Sequence, residues 1–155
     1  MTSTIRKKVV AIARAPAIER TCVPDSLFGP FMLRAFGPCL TRAEEVMGAW
    51  ADRLCGNVQG RTWNFCQLSN GGFYLALCRA ATHLPSLPLD LVRLRVESIG
   101  FNALMSADAA GIVISLFALN HLNWDGLDHL TGPYFRLLEF AAVHEEQHLI
   151  LQTIE

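Results

Sequence analysis

The chain has 155 residues, 52% of them hydrophobic and 17% charged, with a formal net charge of −1. That length suits one domain, and the apolar content rules out disorder over most of it. The near-zero charge argues against a dense negative surface that imitates DNA and against a strongly basic nucleic-acid binder. The charge is nevertheless divided: residues 1–80 hold 10 basic and 5 acidic side chains, whereas residues 81–155 hold 3 and 9. Such a dipole can steer a partner, or it is simply two faces of one soluble domain.

Arg6, Lys7 and Lys8 precede a short apolar run, Val9–Ala13. Five residues fall short of the roughly 7–15 of a signal peptide, and residues 1–20 are read as a flexible arm ahead of a single domain over 21–155. Pro16, Pro24, Pro30 and Pro38 then break the chain into short turns. The first convincing helix is Arg42–Leu54. Thr41 followed by Glu44 matches a capping box, Ala43, Met47, Trp50 and Leu54 make one apolar stripe, and Gly56 stands at the C′ position.

A hairpin follows. Thr62–Leu68 and Phe73–Arg79 flank Ser69-Asn70-Gly71-Gly72, where Asn and Gly both tolerate the positive φ of tight turns. Trp63, Phe65 and Gln67 share one face and should meet Phe73, Leu75 and Leu77 across the pair. Beyond Pro85 and Pro88, Leu89–Ser98 alternates, with Val92, Leu94 and Val96 inward and Arg93, Arg95 and Glu97 outward. The three strands are expected to form one antiparallel sheet. Ser106 is an N-cap, with Asp108 in the first turn, for a helix running to about Leu119 along an Ile112, Leu116, Leu119 face. A loop is read over 120–128. Pro133 at N1 opens a last helix whose face holds Phe135, Leu138 and Ala142, and which either runs on through 148–153 or breaks near Val143. The fold class is α+β: a small antiparallel sheet of about three to four strands with helices packed on it.

The five cysteines, Cys22, Cys39, Cys55, Cys66 and Cys78, are odd in number and lack Cys-x-x-Cys spacing. They suggest scattered buried thiols in a reducing compartment, not a disulfide framework or a thiolate zinc site. No stretch reaches the roughly 18 apolar residues of a membrane span. A cytoplasmic protein without a cofactor is expected.

One pattern resembles chemistry. His144-Glu145-Glu146-Gln147-His148 reads as His-Glu-x-x-His. On a helix this spacing puts both imidazoles on one face, able to bind zinc, with Glu145 as base for a zinc-bound water. A third ligand would have to come from upstream, from His121, Asp125, Asp128 or His129. The competing reading is a solvated C-terminal helix whose residues match by accident. No Gly-x-Ser-x-Gly elbow or phosphate loop occurs. Cys66 and Cys78 on strands either pair in space with one of the five histidines as a nucleophile or are inert thiols among apolar neighbours, the commoner case. Arg93 and Arg95 on an exposed strand face either grip a phosphate or carboxylate or are a solvated sheet face. Trp63 reads as core and Trp124 as a potential interface anchor.

Trp63-Asn-Phe65 with Leu68-Ser69-Asn70-Gly71-Gly72-Phe73-Tyr74 resembles the central motif of the ArdB/KlcA antirestriction family. Similar pieces are Ala109-Ala110-Gly111-Ile112-Val113 with Leu116–Leu119, Val23-Pro24-Asp25 with Phe31–Gly37, and Tyr134-Phe135-Arg136-Leu137 with Ile154-Glu155. In order, they cover most of residues 21–155. The resemblance implies a small α+β protein of plasmids and other mobile elements that protects incoming DNA from host type I restriction–modification systems. It implies no DNA mimicry and supplies no catalytic, cofactor-binding or metal residues to carry over. Two positions depart from the family pattern: Leu33 and Glu145 each stand where a proline is usual. Glu145 is also what creates the zinc-like pattern, and it is expected to remove the break before the last short helix. A zinc-dependent hydrolase built on His144, Glu145 and His148, and a nucleic-acid-binding module using the basic first half, are the rival functions.

Overall fold

The computed structural model describes residues 17–56, 61–79 and 91–154. Most of the expected N-terminal arm, residues 1–16, lies outside these, and Arg20 opens the first strand, β1 (Arg20–Cys22). Helices α1 (Phe28–Phe36) and α2 (Leu40–Cys55) follow, joined by a 3-10 turn at Gly37–Cys39. That turn runs straight into α2, so its N-cap is Cys39 and the Thr41–Glu44 capping box does not form. The C-terminal end is as expected: Gly56 has φ 66° and its N–H donates to the Asp52 carbonyl at 2.9 Å.

Strands β2 (Arg61–Leu68) and β3 (Phe73–Arg79) form the hairpin in the expected register, with Trp63 opposite Leu77, Phe65 opposite Leu75 and Gln67 opposite Phe73. In the turn only Gly71 has positive φ; Asn70 does not. Asn70 instead donates from Nδ2 to the Arg136 carbonyl at 2.9 Å and accepts the Gly72 N–H on Oδ1 at 3.0 Å. A Cβ on Gly72 would lie 3.0 Å from the Arg136 Cβ. The Ser-Asn-Gly-Gly motif is therefore a docking turn as well as a reversal.

Sheet organisation departs from expectation. Strands β1, β2 and β3 make one antiparallel sheet, while β4 (Leu91–Val96) pairs with β5 (Phe101–Ser106), a strand absent from the sequence reading. The local alternation of β4 marks it as a strand but says nothing about its neighbour, and a 3-10 turn ending in Gly100 at φ 69° folds it back onto β5. Val92, Leu94 and Val96 are buried, while Arg93, Arg95 and Glu97 are exposed, as the alternation predicts.

Helix α3 (Ala107–Trp124) is the centre of the core and is buried nearly all round. It extends beyond Leu119 because Leu122 continues the apolar face, and the residues read as loop, Asn120, His121 and Asn123, occupy its outer side. Its backbone lies along the outer edge of β3. A Cβ on Gly111 would stand 2.5 Å from the Leu75 carbonyl oxygen, so only glycine allows that approach. Ser115 completes the contact, accepting the Leu75 N–H at 2.8 Å and donating to the Gly111 carbonyl at 2.7 Å. One face of the hairpin sheet meets α1 through Phe31, tilted against Phe65 at 4.9 Å, and Phe36, edge-on to Phe73 at 5.7 Å.

Helix α4 (Thr131–Ala142) starts two residues before Pro133, which its first turn tolerates because those N–H groups have no helical acceptor. Its inward residues are Leu137, Phe140 and Ala141; Phe135 and Ala142 are exposed, which corrects the predicted face. The helix breaks at Val143–Glu146, and α5 (Gln147–Ile154) follows. The break survives without a proline. Among the described residues no helix is long and apolar enough to cross a membrane.

Candidate functional site

The second face of the hairpin sheet carries Arg20, Cys22, Cys66 and Tyr74. Tyr74 is fully buried and stacks on Phe140 of α4 at 5.8 Å. Its hydroxyl accepts from Arg20 Nη1 at 3.0 Å and donates to Asp108 Oδ1 at 2.7 Å. Arg20 also pairs directly with Asp108. His144, from the break between α4 and α5, donates from Nε2 to Asp108 Oδ2 at 2.9 Å, while its Nδ1 accepts the Glu146 N–H at 3.0 Å. That pair of bonds makes Nε2 the donor and Nδ1 the acceptor of the ring. Glu146 then reaches the N-terminus of α3: Oε1 accepts the Ser106 N–H at 2.9 Å and Oε2 accepts its hydroxyl. Ser106 Oγ caps the helix by accepting the Ala109 N–H at 3.1 Å, as its sequence position predicts.

The electrostatics follow from this pairing. Burial opposes a charge on Asp108, but hydrogen bonds from His144 and Tyr74 and the Arg20 guanidinium outweigh it and hold the carboxyl below its ordinary value. Burial raises the Tyr74 hydroxyl, and its bond to Asp108 adds to the rise. Burial pushes the Cys66 thiol up to about 12.

This arrangement removes the zinc reading. His144 lies in the break and His148 at the start of α5, so the two do not share one helix face. Both nitrogens of His144 are engaged, and Glu145 and His148 are exposed. Of the upstream candidates, His121 and Asp125 face each other at 3.5 Å, and each has a further partner. His121 Nδ1 accepts from Trp50 Nε1 at 3.1 Å, Asp125 accepts from Arg42 at 3.1 Å, and the His129 ring donates to the Ala35 carbonyl at 3.1 Å. Among the described residues no group of three His, Cys, Asp or Glu side chains can hold a metal ion. The thiols are less uniformly buried than expected: Cys66 is buried, Cys39 and Cys55 are half-buried, and Cys22 is exposed. The side chain of Cys78 lies outside the described residues.

A second polar region has the opposite character. Arg53 from the last turn of α2 joins Arg93 and Arg95 of β4 around an open cleft of about 390 Å³, with Glu97 at its edge. Arg53 sits 5.0 Å over the Trp50 ring, and Arg93 donates to Asn102 at 2.7 Å. Among the described residues none of the three is within ion-pair distance of a carboxylate. The sequence singled out Arg93 and Arg95; Arg53 was hidden on the polar side of a helix read only for its apolar stripe. Trp63 is half-buried beside Phe28 and Met47, whereas Trp124 is 82% exposed.

Comparison with known proteins gives a concordant result. The family model described as antirestriction protein matches residues 56–155. An antirestriction protein KlcA of Escherichia coli is 36% identical over 151 residues, 94% of each chain. A second KlcA from E. coli is 40% identical over 131 residues, covering 81% of this chain and 86% of its own. A solved structure of the KlcA and ArdB proteins aligns with a TM-score of 0.75 and 34% identity over 92% of this chain and 99% of its own. Those two proteins are described as having antirestriction activity against type I DNA restriction systems in vivo but not in vitro.

Proposed function

The chain belongs to the antirestriction protein family, and from that premise we propose that it protects incoming plasmid or phage DNA from the type I restriction–modification systems of a bacterial host. It acts in the cytoplasm, indirectly or by protein contact, and not as a DNA mimic. The observation that carries this reading is the extended likeness to KlcA and ArdB, whose activity is described in cells but not with purified components. Such a split means that the cell supplies something the purified reaction lacks. A net charge of −1 gives no polyanion to compete with DNA for a cationic channel.

The role is not catalytic in this reading. A general base needs one free imidazole nitrogen facing its substrate, and His144 spends both on Asp108 and on the Glu146 N–H. Contact with a partner falls to the arginine cleft. Arg53, Arg93 and Arg95 present forked donors to a carboxylate or phosphate, whereas the acidic 121–129 segment spends Asp125 on Arg42.

The test is plating of unmodified phage on a host with an active type I system, with and without expression of the chain. A large rise in plating, absent from a restriction-deficient host, is expected. Unchanged plating with soluble folded protein present overturns the reading.

A further inference from the structure

We infer that Cys22 and Cys66 form a reversible oxidation site, a dithiol that closes to an intrachain disulfide on reaction with a small-molecule disulfide such as oxidised glutathione. The two residues are direct partners across β1 and β2, and their sulfurs are 3.9 Å apart. Their place in the ladder is set by the bonds on either side. The Val23 N–H donates to the Phe65 carbonyl and the Ser69 N–H to the Glu19 carbonyl, both at 2.8 Å. These bonds alternate along the strand pair, so Cys22 and Cys66 occupy a non-hydrogen-bonded position, where opposed Cα atoms are about 4.5 Å apart and side chains approach most closely. A disulfide accepts Cα separations of roughly 4.4–6.8 Å. The bridge therefore needs side-chain rotation and no change of register.

The two thiols have different roles. Cys22 is exposed and Cys66 is buried, so Cys22 is the entry point. Its thiolate attacks one sulfur of oxidised glutathione, forming a mixed disulfide and releasing one glutathione thiolate. The Cys66 sulfur then attacks Cys22 Sγ, and its proton passes to the departing second glutathione, which leaves as the thiol. Two protein thiols are oxidised and one external disulfide is reduced to two thiols. Cys66 lies between Cys22 and Tyr74 in one cross-strand row, and Cys22 is two residues from Arg20. The bridge thus staples a three-residue strand beside the Arg20–Tyr74–Asp108–His144 network.

The experiment uses the full chain, reduced and freed of reductant, then incubated with oxidised glutathione, acid-quenched and alkylated. Peptide mapping is expected to find Cys22 joined to Cys66, with an intact mass lower by two hydrogens. Reduced glutathione should reopen the bridge. Cys22→Ser, at an exposed position, should fold and hold no disulfide at Cys66. Two free thiols after oxidation overturn the inference. So does a glutathione adduct that stays on Cys22, a bridge to another cysteine, or a bridge that resists excess reduced glutathione.

Discussion

Arginine serves two ends in this chain, and the contrast is between a closed polar region and an open one. Arg20 is half exposed, but its Nη1 reaches both Tyr74 and Asp108, and Asp108 joins Tyr74 to His144 with most of their side-chain surface buried. Arg53, Arg93 and Arg95 ring a cleft and meet no carboxylate among the described residues. Removing polar groups from water costs free energy unless they are paired, so the closed region reports on what the fold needs. The open region can leave its charges unpaired because water reaches them, and in the proposed function its donors serve a partner.

Changes at three places test that division, in order of their expected effect on stability. Asp108→Ala strips the acceptor from Arg20, Tyr74 and His144 together and should cost about 3 kcal/mol in urea unfolding. Asp108 also carries a pH signature. Its folded carboxyl lies below the ordinary value, so its contribution is complete above that value and drains away as pH falls through it towards the folded one. Asp108→Asn should flatten that part of the stability–pH curve. Ser115→Ala leaves the buried Leu75 N–H without its acceptor and should cost about 1–2 kcal/mol. The triple change Arg53→Glu, Arg93→Glu and Arg95→Glu should shift stability by only about 0.5 kcal/mol per site or less, yet abolish protection in the plating assay. If the triple variant unfolds as readily as Asp108→Ala, the cleft is structural and the contrast collapses.

What was legible in the sequence is what neighbouring residues decide. The hairpin register, the Ser106 cap, the Gly56 stop and the alternation of β4 are all set within a few positions of the residues concerned. What was hidden is non-local. Arg20 and Asp108 are 88 positions apart and meet only because the sheet and α3 bring them together. Asp108 was visible as a favourable first-turn acid, which it is, but its three partners were not. His144 was read as a ligand of a local metal pattern and Glu146 as a spacer within it, whereas both reach the start of α3. A long-range polar network leaves no periodicity to find. The nearest signal was Asp and His lying outside every apolar stripe. β5 was missed for a related reason: its register comes from β4 and its burial pattern does not alternate cleanly.

The seam between α3 and β3 has a consequence for how copies of this protein behave beside one another. A sheet ends in two edges, and an uncovered one invites pairing with a stranger. Here Gly111 lets a helix backbone lie where a fourth strand would pair, and Ser115 takes the Leu75 N–H that such a strand would have claimed. The opposite edge is β1, only three residues long. A missing Cβ in the middle of a core helix thereby covers the β3 edge of the hairpin sheet against pairing with a strand of another copy.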